Sequence, residues 1–126
     1  MTDPVTFALV LLFLLQMKHL FADFYLQTPR MLANRAVYFH LGRLQHAGLH
    51  AVGSLVAMVL VGVPVALALI VAVFEWAVHF HIDWGKGRWS DHTGHGPTQA
   101  GFWRAFGVDQ AMHQWSYLVM VWVVLP

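Results

Sequence analysis

Apolar residues run almost unbroken from Val5 to Leu15. The run continues to Leu26 with Gln16, Lys18, His19 and Asp23 set into it. A membrane-crossing helix needs about 20 mainly apolar residues, and residues 5–26 supply that length. Pro4 suits a first helical turn, with Asp3 or Thr2 as its cap, and Thr28-Pro29 stops the helix. The amino end has no Lys or Arg, and no small-residue cleavage site follows the apolar part. The run is therefore read as a span rather than a cleaved signal.

Residues 29–42 form a polar connector. Within it, 32–41 are expected to make a short interfacial helix with Tyr38 and Phe39 at headgroup depth. A second apolar run covers 43–61, Gly62-Val63-Pro64 makes an uncharged turn, and a third run covers 64–84. One helix over 44–84 would be about 60 Å long, twice a bilayer core, so two helices are expected. Gly85, Gly87, Gly94, Gly96 and Pro97 predict an irregular polar loop over 85–104. A fourth run covers 106–125. The pattern predicts an all-α fold, a four-helix transmembrane bundle with two cytoplasmic polar loops. Residues 1–126 would form a single integral membrane domain.

Composition agrees with that reading. Hydrophobic residues make up 59% of the chain and charged residues 10%, against about 25% charged in soluble domains. The lipid bilayer is the expected partner. A net charge of +1 gives no reason to invoke nucleic acid. The chain lacks cysteine, which removes thiolate metal sites. Charge also orients the bundle. Arg30, Arg35 and Arg43 lie in or beside the first connector, and Lys86, Arg88 and Arg104 in the last. By the positive-inside rule both basic loops are cytoplasmic, and both termini and the 62–64 turn are non-cytoplasmic.

Nine histidines beside six acidic residues are the anomaly. Four pairs are spaced i, i+4, which puts each on one helix face. They are His19/Asp23, His46/His50, His79/Asp83 and Asp109/His113, one pair per span. Alternating helix directions bring all eight to one membrane level. His19, His50, His79 and His113 form the deeper layer. Asp23, His46, Asp83 and Asp109 lie about 6 Å nearer the cytoplasm. Ionisable groups inside a membrane are costly and usually face the bundle interior. Imidazole and carboxylate without thiolate suit Zn²⁺, Mn²⁺ or Fe²⁺. Eight side chains offer two metals, or one metal with an outer shell of Asp fixing His tautomers. Glu75, one turn before His79, is a spare ligand or general base. Lys86, three beyond Asp83, is placed to hold an anionic substrate such as a lipid phosphate.

Blander roles suit other residues. His40, His81, His92 and His95 are assigned to the interface or the loop. Lys18 has no acidic residue at helical spacing and is expected to snorkel. The tryptophans, Trp84, Trp89, Trp103 and Trp115 among them, read mostly as an interfacial belt.

Four strings together resemble one bacterial family. They are Lys18-His19-Leu20-Phe21-Ala22-Asp23-Phe24 with Gln27, His46 through His50, His79-Phe80-His81-Ile82-Asp83 with Lys86, and Asp109-Gln110 with His113. They look like the H-x-x-x-D-F-x-x-Q, early second-helix His, H-F-x-I-D-x-x-K and D-Q-x-x-H motifs of the domain-of-unknown-function 3307 family. Its members are small polytopic membrane proteins. The resemblance covers about residues 7–123. His81 inside the third motif is a departure, and either His46 or His50 could be the family's histidine. The resemblance implies a shared polar site and a bacterial inner-membrane location, and implies no activity.

Three functions are consistent with these residues. One is a metal-dependent hydrolase of a lipid or phosphoester, by analogy with other small His- and Asp-bearing membrane hydrolases. The second is a non-catalytic accessory subunit among other membrane subunits, with the polar cluster as packing glue. The third, a metal or proton conduit, needs a polar path to the far side. Residues 5–15, 51–72 and 117–125 carry no acidic, basic or histidine side chain, which argues against it.

Overall fold

The computed structural model describes residues 3–126, and every regular element in them is helical. The elements are α1 (Pro4–Phe24), α2 (Pro29–Leu32), α3 (Leu41–Leu60), α4 (Val65–Thr93) and α5 (Ala100–Val124). The four long helices close a ring: α1 packs on α3, α3 on α4, α4 on α5, and α5 back on α1. The interior between them is filled at one end by Phe7, Leu11, Leu15, Met58, Val71, Met120 and Val121.

Asp3 starts α1 as its cap, and its carboxylate accepts from the backbone N–H groups of Val5 and Thr6 at 3.1 and 3.0 Å. Hydrogen bonding with Thr6 holds that carboxyl below its ordinary range. Thr2, the other cap candidate, lies outside the described residues. Thr28 caps α2 in the same way, with Pro29 in its first turn. The turn between α3 and α4 is tight, with Gly62 at φ 92°, where glycine is favoured.

Two expectations about the connectors fail. The segment expected to be an interfacial helix at 32–41 is a single turn, Pro29–Leu32, followed by bends. Arg43 organises that segment instead. Its guanidinium donates to the carbonyls of Val37 at 2.9 Å and of Tyr38 and Phe80 at 2.6 Å, leaving the side chain buried. The polar stretch after residue 84 is also not a loop throughout. α4 continues for nine residues past Trp84 to Thr93, and α5 begins at Ala100. Of the glycines that suggested irregular backbone, Gly87 serves packing, as Gly42 does in α3, and Gly94 ends α4 at φ 63°. A Cβ on Gly87 would stand 2.7 Å from the backbone of Arg35, and one on Gly42 would clash with the Arg30 carbonyl oxygen. Both glycines let the connector lie against a helix.

α1 and α4 are long and apolar enough to cross a membrane; α3 and α5 fall short of that measure. The shortfall has a local cause. α3 buries Arg43, His46, His50 and Ser54, and α5 buries Asp109 and His113, so part of the polarity of each faces inward, while Gln45 and Arg104 are exposed.

Candidate metal centre

The four i, i+4 pairs meet inside the ring of helices. His19 and Asp23 come from the end of α1, His46 and His50 from the start of α3. His79 and Asp83 come from the middle of α4, and Asp109 and His113 from the middle of α5. Alternating helix directions bring the end of α1 and the start of α3 to one level.

The two expected layers are present. His19, His50, His79 and His113 form a closed ring of imidazoles. Successive centroids lie 5.4 Å apart for His19–His50, 3.9 Å for His50–His79, 4.1 Å for His79–His113 and 5.6 Å for His113–His19. The ring follows the order of the helices. On one side lies the carboxylate layer. Asp23 is approached by His19 at 3.1 Å, His46 at 3.2 Å and His50 at 2.9 Å. Asp83 is approached by His79 at 3.2 Å, His113 at 3.3 Å and His46 at 3.5 Å. His46 thus stands between the two carboxylates, and both His46 and His50 belong to the cluster.

A third layer lies on the other side of the imidazoles, one turn deeper. Ser54, Glu75 and Tyr117 are each four residues from His50, His79 and His113, and all three are buried. Lys18 joins this layer and does not snorkel. Its ammonium pairs with Glu75 and donates to His50 Nδ1 at 3.2 Å. It also lies 4.5 Å from the centre of the Tyr117 ring. Glu75 is therefore a counter-ion beneath the cluster, and it is in neither group of candidate ligands. Below it the interior is apolar to the far end, so the polar cluster opens toward one side only.

Two subsets could hold a metal. Asp23, His46, His50 and His79 each offer one donor atom, with all four within 4.8 Å of one another, and so do His79, Asp83 and His113. A tetrahedral ion with bonds of about 2.1 Å draws its donors to about 3.5 Å apart, which asks for side-chain contraction of about an ångström. The donors, imidazole and carboxylate without thiolate, could hold a divalent ion. Hydrogen bonding points the same way. His79 is 1% exposed; its Nδ1 has no partner among the described residues, and its Nε2 makes no aligned hydrogen bond, with Asp83 Oδ2 3.2 Å away. Buried polar atoms are nearly always satisfied, and His79 is common to both subsets.

His19 and Asp109 stand outside both subsets. His19 shares hydrogen bonds with Tyr117 Oη at 2.8 Å and Gln110 Oε1 at 2.9 Å. Asp109 accepts from Lys86 at 3.3 Å and from the Gln110 amide at 3.2 Å, and its Oδ1 lies 3.5 Å from His113 Nε2. His19 is held within the imidazole ring by these bonds, and Asp109 lies at the rim. Lys86 sits there too, 4.7 Å over the Phe106 ring.

Sequence reasoning gave no role to Gln110, Tyr117 or Ser54, although helical spacing from His113 and His50 would have found all three. Gln27, quoted with the first motif, is not at the cluster; its Oε1 accepts from Arg35 at 2.7 Å and ties down the connector. His81 bonds Tyr38 Oη at 2.8 Å, and His92 and His95 are exposed.

The family described as "Protein of unknown function (DUF3307)" matches the chain over residues 10–125. No curated protein and no solved structure matches it.

Proposed function

Because the chain belongs to that family, whose description assigns no activity, we propose its function from the centre itself. It is a membrane-embedded metal protein that hydrolyses an ester or phosphoester at its cytoplasmic face. The observation that carries this reading is the convergence of Asp23, His46, His50 and His79 on one space, with His79 Nδ1 left without a partner.

The bilayer placement extends to all four long helices. Large apolar side chains face outward on each: Val10 and Phe13 on α1, Val56 and Leu60 on α3, Ile70 and Val73 on α4, Leu118 and Trp122 on α5. Helices apolar both inward and outward suit a lipid solvent, and an apolar belt of this extent is costly in water. Arg and Lys in the two connectors support a cytoplasmic position for the polar end, in the bacterial inner membrane. The chain is then a single four-span domain.

Bound at these residues, a divalent ion would supply Lewis acidity and a water acidic enough to ionise near neutral pH. The chain's own groups do the rest. Asp83 bridges His79 and His113, fixing their ring orientation. Lys86 offers a cation for an anionic substrate at the rim. The Lys18–Glu75 pair holds His50 from below without opening the cluster to the far side.

The test is turnover. Protein loaded separately with Zn²⁺, Mn²⁺ and Fe²⁺ is assayed against carboxylic and phosphoric ester substrates, beside Asp83→Asn. Metal-dependent hydrolysis reduced at least tenfold in the variant supports the proposal. Tight metal binding without turnover favours a second reading, an accessory subunit among other membrane subunits. That reading has its own support, since Asp23 alone gathers three imidazoles, as a structural polar network does.

A further inference from the structure

The cluster's rim opens into a cleft between α4 and α5. The cleft has a volume of about 560 Å³, within the range of sites for ligands of drug size. Its residues are sorted by depth. Ile82 and Met112, beside Asp83 and His113 in the chain, line the deep end with His81, and Val108 lies beside Asp109. Lys86 and Arg104 line the shallow end with Trp89 at the mouth. Arg104 is five residues before Asp109, about 7.5 Å along the helix toward the polar end. Asp109 forms the inner wall, and its Oδ1 has no hydrogen-bond partner.

Gly85 adds a second observation. It sits within α4 and lines the cleft, and a Cβ there would meet nothing within 4 Å. Gly42 and Gly87 are required by close backbone contacts; Gly85 is not. A helix-interior glycine costs about 1 kcal/mol relative to alanine, so this one needs another reason. Its missing side chain keeps the cleft open.

We infer that this cleft binds a membrane amphiphile with a net anionic phosphate headgroup, the headgroup against Lys86 and Arg104 and the apolar part against Ile82, Val108 and Met112. The match is one of charge and depth together: cations lie where headgroups sit, apolar walls lie where acyl chains run, and an exposed tryptophan lies at the interface. A soluble phosphate would have no use for the deep apolar wall. The inference deepens the proposed function by naming a substrate class. It rests on the membrane placement and not on the metal.

The experiment is competition binding of a fluorescent phosphatidic acid to protein extracted from membranes in a non-ionic detergent, with chelator throughout. Unlabelled phosphatidic acid should displace the probe, while phosphatidylcholine and inorganic phosphate at the same concentration should not. Arg104→Gln should weaken binding about tenfold, the loss of one charge-assisted contact. Gly85→Leu should weaken it at least as much while melting no lower than the wild type, because it fills open space and improves helix propensity. Equal displacement by phosphatidylcholine or by phosphate would overturn the inference, as would two folded variants that bind like the wild type. Because chelator is present, those results leave the metal reading intact. Recovery of the chain in the soluble fraction of lysed cells would instead overturn the membrane placement.

Discussion

Lys18→Met isolates the charge pair beneath the imidazole ring. The substitution keeps most of the aliphatic stem, which lies 3.3 Å from where a Gly53 Cβ would be, and removes only the ammonium. Glu75 is 1% exposed and its Oε2 already has no partner, so its carboxylate would be left buried and uncompensated. Breaking a buried pair from one side costs about 3–5 kcal/mol. His50 Nδ1 also loses its donor, adding about 1 kcal/mol. The expected total is about 5 kcal/mol. Glu75→Leu strands the ammonium, which is about 10% exposed, and should cost about 3 kcal/mol. The double variant removes both charges and should lie within about 2 kcal/mol of the wild type. The cycle therefore predicts strong coupling, several kcal/mol short of additivity. Unfolding in mixed micelles, followed by tryptophan fluorescence, measures all four proteins. Single variants that each cost less than about 1 kcal/mol, and add, would refute a buried ion pair.

Other outcomes follow from the same structure. Chelator should lower stability at pH 7.5 by about 2.7 kcal/mol if free metal had been a hundredfold above Kd. The difference should shrink at pH 5.5, because protons compete with the metal for its imidazole and carboxylate ligands. Melting curves at both pH values, with and without chelator, check this, and a chelator effect that grows at the lower pH contradicts it. Gly87→Ala should destabilise by about 1–3 kcal/mol, since its Cβ meets the Arg35 backbone at 2.7 Å; an unchanged midpoint means the connector does not lie on α4. A topology reporter fused after Pro126 should be active only outside the cytoplasm, and one inserted at Gly94 only inside. Activity of both on one side breaks the alternation of the helices.

The cluster was legible because it is written in local spacing. Four i, i+4 pairs, one per apolar run, needed only helical geometry and alternating direction to fall into layers. The Lys18–Glu75 pair was not legible. Its members are 57 residues apart in sequence, and nothing acidic lies at helical spacing from Lys18, so snorkelling was the natural local reading. The continuation of α4 through Gly85 and Gly87 was hidden for a related reason. Glycine reads as a breaker from sequence, and only the position of Arg35 explains why Gly87 must have no side chain. The weak hydropathy of α3 and α5 reflects in part inward polar residues, which an average over the helix cannot tell from outward ones.

The metal is the centre of the account, and His79 is its most direct probe. Protein purified after growth with Zn²⁺, Mn²⁺ and Fe²⁺, then freed of loose ions, should retain a stoichiometric divalent ion by elemental analysis. His79→Ala removes the ligand shared by both subsets and should lose that ion. His81→Ala, two residues on and bonded to Tyr38 at the surface, should keep it. No retained ion in the wild type, or equal retention in His79→Ala, would contradict a metal centre at this cluster.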